Sequence, residues 1–384
     1  MKFEVGCYYF PNYHTGDARN DLHHGPGWSE WNLVRGATPR FEGHLQPRKP
    51  LWGYEDEKQP EAMARKIDAA ANAGIDFFIF DWYYYDDGPF LERALEEGFL
   101  NAPNTEKLKF CTMWANHNWT DIHPATRFSP RTVLYHGKVT RATFEKVAEI
   151  HLERYFPRSN YYTIDGAPYF SIYDLEQLMA SFGSVAETKR AFDDFRVAAK
   201  QAGFPGLHLD LVAWGTPLLP GEKAVADLPR LIGELGFDSV TSYVWKHEAR
   251  FPACGTMDYR RYAEQYFAYY EKARRIYPCE YYPNLTVGWD SSPRLAPSEV
   301  WEPKVFNYPC GPIVTGRSPE LFREAARKIK EILGASAQKH KILNINSWNE
   351  WTESSYLEPD DLFGTGYLDV LREEFGSGAA TAAR

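Results

Sequence analysis

The stretch Leu343-Asn344-Ile345-Asn346-Ser347-Trp348-Asn349-Glu350-Trp351-Thr352-Glu353-Ser354 decides how the rest of the chain is read. It opens as a strand, with Ile342, Leu343 and Ile345 apolar, and then stops resembling core. Two tryptophans, an asparagine and two carboxylates crowd together, and Tyr356, Glu358, Pro359 and Asp360 follow. Acids placed where the backbone leaves a sheet occupy the end at which barrel enzymes do their chemistry. Glu350 and Glu353 would point to opposite faces of a continuing strand but would share a face of a helical turn. Pairing them therefore requires the chain to turn near Trp351. Two carboxylates beside aromatic planes suit glycoside chemistry, one as acid and the other as base or nucleophile. The competing reading of this segment alone is an exposed acidic loop with tryptophans packed at its base.

Upstream, the same rhythm repeats. Apolar strand patterns occur at 3–9, 75–80, 108–113, 168–172, 208–213, 239–242 and 282–287, before the one at 342–345. Helical spacing follows at 59–73, 89–100, 141–155, 185–202, 225–235, 259–276, 319–333 and 367–375. Alternating β and α elements imply a parallel sheet, and eight such units without a composition break imply one (β/α)8 TIM barrel over 1–375. An open doubly wound sheet is the alternative; no glycine-rich phosphate loop follows the first strand to support it. Residues 376–384 are small and polar and read as a disordered tail. Residues 15–54 form a long insertion carrying Trp28, Trp31 and Trp52, expected to be ordered and folded over a site.

Nearly every strand exit is polar or aromatic. The first ends near Tyr8, the second at Asp81-Trp82, and the third at Trp114 with Asn116 and Trp119 close behind. Later exits carry Trp214, Tyr243 with Trp245, Trp289-Asp290, and finally Trp348, Asn349 and Trp351. In a barrel these ends converge on one bowl with long loops around it. The residues named, with Trp28 and Glu30 from the insertion, are the candidate substrate-binding set. Asp81 and Asp290 are expected to bind sugar hydroxyls, a conventional catalytic pair being the alternative. Glu30 has an arginine as its alternative partner. Only part of the tryptophans can be stacking platforms; the rest must be walls. His23-His24 and His117 with His123 have no spacing that fixes a metal site and read as solvated loop residues.

The chain has 384 residues, and its 12 Trp, 25 Tyr and 24 Phe exceed what a core of this size needs. Rings with a polar atom on an apolar body suit binding clefts, and a pyranose face stacks on such rings. A net charge of −9 argues against nucleic acid, whose phosphates need a basic surface. Five scattered cysteines form no CxxC pair, so reduced, mostly buried thiols are expected. No segment has the unbroken apolar length of a membrane span. The first residues lack the basic start and apolar run of a signal peptide. The chain as given reads as cytoplasmic, or as periplasmic or secreted if a leader has been trimmed.

Asn349-Glu350-Trp351-Thr352-Glu353, followed by Leu357-Glu358-Pro359, resembles the C-terminal signature of glycoside hydrolase family 99 and of the related WbsX-like proteins. The similarity extends through Trp28-Ser29-Glu30-Trp31, Gly43-His44-x-Gln46-Pro47, Trp114-Ala115-Asn116-x-Asn118-Trp119 and Gly288-Trp289-Asp290, and is closer to the WbsX-like group. It implies a barrel acting on α-glycosides of manno-configured sugars such as α-mannosides or α-rhamnosides, with no metal or cofactor, and it brings His44 and Gln46 to the bowl. By resemblance Glu350 is the base on the substrate's own 2-hydroxyl and Glu353 the acid and later the base, giving retention. The family usually has Gly after the second Glu; Ser354 stands there instead. The WbsX-like relatives carry a glycosyltransferase label, so a transferase or a non-catalytic sugar-binding barrel is the alternative. Asp86-Asp87 and Asp360-Asp361 are its weak substitutes for a diphosphate-metal motif.

Overall fold

Strands that are apolar on both faces need a parallel sheet covered by helices. A computed structural model describes residues 2–376, so residues 377–384 of the expected tail lie outside the described residues. The strands are β1 (Glu4–Tyr9), β2 (Phe77–Tyr85), β3 (Lys109–Trp114) and β4 (Ala167–Ile172). They continue as β5 (His208–Val212), β6 (Ser239–Thr241), β7 (Glu280–Tyr282 with Asn284–Thr286) and β8 (Ile342–Asn346). Each pairs in parallel with the next in chain order. The last returns to the first, with Glu4 opposite Ile342 and Cys7 opposite Ile345. The sheet therefore closes.

Strand β7 is the seam's irregular member. Pro283, which has no N–H to give a ladder, splits it: the first half pairs with β6 and the second with β8. The Pro283 carbonyl accepts from the Asn344 N–H at 2.9 Å, and the Asn284 N–H is taken by the Tyr266 hydroxyl at 2.6 Å.

The intervening helices are α1 (Pro60–Ala73), α2 (Ala94–Phe99), α3 (Arg141–Ile150), α4 (Val185–Gln201), α5 (Leu228–Leu235), α6 (Tyr259–Ile276), α7 (Pro319–Ala335) and α8 (Gly366–Phe375). Together these make the (β/α)8 barrel. Helix α1 shows how the sequence writes them. Pro60 opens it, Met63, Ile67 and Ala70 bury one face, and Gly74 closes it at φ +88°, a left-handed cap that glycine adopts freely.

Local readings differ in three places. Strand β2 runs past Phe80 to Tyr85 and folds back on Gly88–Phe90, so the helix expected over 89–100 shrinks to α2. The cause is the Asp86-Asp87-Gly88 turn, whose residue types favour reversal over helix entry. A helix over Leu175–Phe182, capped by Asp174 and ended at Gly183, was not anticipated. Helix α5 begins only at Leu228, with proline in its first turn. Residues 15–54 hold the short helices Ala18–His24 and Trp31–Gly36. Cys7, Cys111 and Cys310 are buried free thiols, whereas Cys254 is exposed. Among the described residues no helix is long and apolar enough to cross a membrane.

Candidate active site

Beyond β8 the chain reverses within a few residues. Asn349–Glu350 pairs antiparallel with Ser355–Tyr356, and a single helical turn, Trp351–Glu353, joins them. Ser354 completes the reversal at φ +52° and ψ 31°. This is the left-handed geometry for which glycine is the easy choice, and a serine there carries strain. The hairpin sits against Gly288, where an added Cβ would lie 2.6 Å from the Ser354 carbonyl oxygen. Next to it, the Asp290 N–H donates to the Glu353 carbonyl at 2.7 Å. The turn puts the side chains of Glu350 and Glu353 together.

One guanidinium spans them. Arg294 Nη1 donates to Glu353 Oε1 at 2.8 Å, Nη2 to Glu350 Oε2 at 3.3 Å, and Nε to Glu30 Oε1 at 2.7 Å. The Tyr308 hydroxyl donates to Glu353 Oε1 at 2.5 Å and accepts from Arg294 Nη1. Glu30 also accepts from Asn12 Nδ2 at 2.7 Å and the Thr352 hydroxyl at 2.5 Å. One buried cation thus faces three buried carboxylates. Glu30 is the one held ionised: burial would raise its carboxyl, but Arg294, His123 and the Thr352 hydroxyl bring it below the usual range. Glu350 is pushed well up by burial and by its neighbour Glu353. Glu353 is pushed up by burial, against the pull of Arg294 and Tyr308. Asp81, raised mainly by burial, joins them through Tyr243. The Tyr243 hydroxyl lies 2.8 Å from Asp81 Oδ2 and 3.2 Å from Glu350 Oε1. A hydroxyl has one hydrogen to give, so both contacts together require a proton on one of the two carboxyls.

These groups form one wall of a cavity of about 70 Å³. Asp81, Tyr243, Trp289, Arg294, Glu350 and Glu353 all line it. Four polar atoms of its lining residues, Asp81 Oδ1, Trp289 Nε1, Thr120 Oγ1 and His123 Nδ1, are buried without a protein partner. Such atoms cost stability unless something occupies the space before them. Trp119 lines the opposite end, stacked on His123 at 5.2 Å between centroids. His117 and His123 were read as solvated; both are buried in this wall, and burial lowers them to about 4 and about 3. Among the described residues no group of three or more His, Cys, Asp or Glu side chains is placed to hold a metal ion.

Of the candidate residues, the cavity wall therefore receives Glu350, Glu353, Asp81, Trp119, Tyr243 and Trp289. The others lie behind it. Tyr8 packs beneath Tyr243 at 4.7 Å. Indole N–H groups of Trp114, Trp214 and Trp245 donate to the carbonyls of Tyr84, Tyr173 and Asn284, so these rings fasten neighbouring backbone instead of meeting a ligand. Trp82 donates to the Tyr155 hydroxyl, Trp28 stacks on His24, and Trp348 packs on Phe78. Asn116 bonds the Asp174 backbone through both amide atoms. Asp290 does not reach the cavity: it accepts from His44 Nε2 at 2.9 Å and Gln46 Nε2 at 2.7 Å and backs the Ser354 turn. Burial would raise Asp290, but these donors hold it at about 2.

A second buried network flanks Glu350 from below. Lys66 Nζ donates to Glu57 and Glu358, both at 2.5 Å. Glu57 in turn accepts from Asn349 Nδ2 at 3.1 Å, and Glu358 from Trp351 Nε1 at 2.7 Å. The residues on either side of Glu350 are thus tied to one lysine of α1. Neither Lys66 nor Arg294 carries a local sequence signal; an arginine in Ser291-Ser292-Pro293-Arg294 looks like any loop cation.

A family described as Glycosyltransferase WbsX matches residues 5–371. The chain belongs to the WbsX family. Two curated relatives, both described as uncharacterized protein WxcX from Xanthomonas campestris pv. campestris strains, are 27% and 26% identical over 373 residues. These cover 96% of this chain and 49% of each relative, so the chain spans about half their length. Among solved structures, a GH99 endo-alpha-mannosidase from Bacteroides thetaiotaomicron superposes with a TM-score of 0.56 at 14% identity, covering 97% of this chain and 96% of that one. A protein described as glycoside hydrolase-like gives 0.59 at 18%, covering 98% and 94%. At these identities the likeness establishes that this WbsX-family chain has a glycosidase-like barrel.

Proposed function

We propose that the chain is a retaining glycoside hydrolase that cleaves α-glycosides of manno-configured sugars within an oligo- or polysaccharide. The observation that supports it is the pair Glu350 and Glu353, drawn to one guanidinium in the wall of the cavity at the C-terminal ends of the strands. In the reaction Glu350 takes the proton of the substrate's 2-hydroxyl as O2 attacks C1 from the face opposite the leaving group. The C1–oxygen bond breaks, and Glu353 gives its proton to the departing oxygen. Water, deprotonated by Glu353, then opens the anhydro sugar at C1, and Glu350 returns its proton to O2. Two inversions give retention, and a 2-hydroxyl anti to the leaving group is required.

Burial raises both carboxyls, more strongly at Glu350, while Arg294 and Tyr308 oppose the rise at Glu353; the division into base and acid therefore rests on the family resemblance. With one cation among Glu30, Glu350, Glu353 and Asp81, burial raises the last three carboxyls, the direction an acid–base pair needs. Asp81 Oδ1 and Trp289 Nε1 have no protein partner. Arg294 and Glu30 are positioning residues that fix the two carboxylates.

Glycosyl transfer is the second reading, favoured by the family's description. The two Asp-Asp pairs do not serve it well, because their carboxylates are already engaged. Asp86 accepts from Thr140 and Thr143, and Asp87 pairs with Arg19. Asp360 and Asp361 both pair with Arg48. The test is product analysis by NMR on a panel of α-mannans and rhamnans, with Glu350→Gln and Glu353→Gln as controls. Retained anomeric configuration lost in both variants supports hydrolysis. Sugar transfer dependent on a nucleotide-sugar, with no hydrolysis, overturns it.

A further inference from the structure

Strands β2 and β6 are four places apart in the closed ring, so they face each other across the barrel. Asp81 lies on β2, and Tyr243 stands just beyond the end of β6. The Tyr243 hydroxyl spans the gap, 2.8 Å from Asp81 Oδ2 and 3.2 Å from Glu350 Oε1. Its place is fixed from behind. Asn284 Nδ2 donates to the Tyr243 carbonyl at 2.8 Å, and the ring lies 4.7 Å from that of Tyr8 and edge-on to Tyr173.

The phenol has one hydrogen to give, so the carboxyl that does not receive it must carry a proton of its own. The two are not equal claimants. Glu350 Oε2 accepts from Arg294 Nη2 at 3.3 Å, so with Tyr243 on Oε1 both of its oxygens meet donors. Asp81 Oδ1 has no partner. Apart from burial, the groups acting on Asp81 are Tyr243 and the like charge of Glu353, with no cation among them. A buried carboxylate so placed is costly, whereas a neutral acid itself supplies a donor to Tyr243. Glu350 is faced by Glu353 on its own hairpin, Arg294 and Tyr308 beyond β7, Glu30 from the insertion, Tyr13 after β1, Asp81 and Tyr83 on β2, and Tyr243. A charged Asp81 would add one more like charge to that set.

We propose that Asp81 holds the shared proton and donates through it to the Tyr243 oxygen, so that Tyr243 turns its own hydrogen onto Glu350 and keeps that glutamate ionised. Asp81 is then a positioning residue that acts through Tyr243. Its proton stays on Asp81 while Glu350 takes up and returns the proton of the substrate hydroxyl. The role rests on the hydrolase reading above; the place of the proton does not. Asp81→Asn keeps a donor toward Tyr243, Asp81→Leu removes it, and Tyr243→Phe removes the link itself. A hydrogen bond lost from the charged form of Glu350 raises its titration by about one pH unit.

The experiment follows the side-chain carboxyl carbons of Asp and Glu, labelled separately with carbon-13, by NMR from pH 4 to pH 9. Asp81→Asn and Glu350→Gln identify the two resonances by their absence. Glu350 is expected to lose its proton at a lower pH than Asp81. Asp81 ionising first, or the two together, overturns the proposal. Should Asp81→Asn fail to fold, Tyr243→Phe identifies the aspartate resonance by displacing it. In kinetics the acidic limb of kcat/KM should move up by about one pH unit in Asp81→Leu and Tyr243→Phe and stay in place in Asp81→Asn, whatever the rates. A limb moved as far by Asp81→Asn as by Asp81→Leu overturns the donor role and leaves the hydrolase reading standing. If no glycoside is cleaved, the hydrolase reading fails by itself, and the order of deprotonation seen by NMR decides the proposal.

Discussion

Replacing Arg294 by Met removes the one cation that Glu30, Glu350 and Glu353 share. Methionine keeps most of the side chain's bulk, so the main loss is charge. Removing one partner of a buried ion pair costs about 3–5 kcal/mol, because the other charge is left uncompensated. Here the orphaned charge can escape by protonation, and that gives the cost a pH dependence. In the parent protein Glu30 is held below its usual pKa, so its contribution is present above the unfolded value and is lost only as pH falls through the lower folded value. Without Arg294 burial dominates, Glu30 is raised, and the variant's stability falls as pH rises through the ordinary glutamate range. The two proteins should therefore differ least near pH 4, where the parent keeps most of its Glu30 contribution but the variant's carboxyl is protonated without penalty, and by the full amount near pH 8. Denaturant unfolding of both at pH 4, 6 and 8 reads this directly. A stability gap of the same size at all three values would refute the reasoning, since a purely steric loss has no such slope. Glu30→Gln in the Arg294→Met background should recover part of the loss at pH 8, as expected of coupled neighbours.

Lys66→Met should cost a comparable 3–5 kcal/mol and lower kcat more than KM, because Asn349 and Trp351 lose the anchors that set Glu350; adding Glu57→Gln should restore part of the stability, checked by unfolding and kinetics. Asp290→Asn should cost about 2 kcal/mol at neutral pH, from a carboxyl held at about 2 against an ordinary 3.8. That contribution is present above the unfolded value and fades as pH falls toward 2, so acid unfolding curves of the two proteins should converge there. Ser354→Gly relieves a left-handed strain of roughly 1–2 kcal/mol while losing the hydrogen bond from Gln46 at 2.8 Å, worth about 1 kcal/mol. Ser354→Ala loses the bond and keeps the strain, so it should be the less stable of the two in parallel melts. Glu353→Gln should impair dinitrophenyl glycosides far less than substrates with poor leaving groups, because only the latter need its proton.

The barrel was legible because its strands are short, apolar and evenly interleaved with amphipathic helices, a pattern that leaves few topologies. Boundaries failed where turn chemistry overrode apolar runs, as at Asp86-Asp87-Gly88. The acid pair was legible from its spacing, since only a helical turn could unite residues 350 and 353. The tryptophans were over-read for a physical reason. An indole has one donor, and a backbone carbonyl of a neighbouring strand or loop satisfies it as well as a sugar does, as at Trp114, Trp214 and Trp245. Arg294 and Lys66 went unseen because their partners are remote: Glu30 lies 264 positions from Arg294 and Glu358 lies 292 from Lys66. Nothing local in a sequence records a contact made across the whole chain.

The closure of β1 on β8 has a consequence for synthesis. While the ribosome is still making the middle of the chain, β1 can pair with β2, but its other edge has nothing to meet until residues 342–345 have emerged. An open edge of this kind invites wrong partners. The hairpin bearing Glu350 and Glu353 comes out after that, ahead of α8. A nascent polypeptide held short of the hairpin has most of its cylinder and neither member of the acid pair.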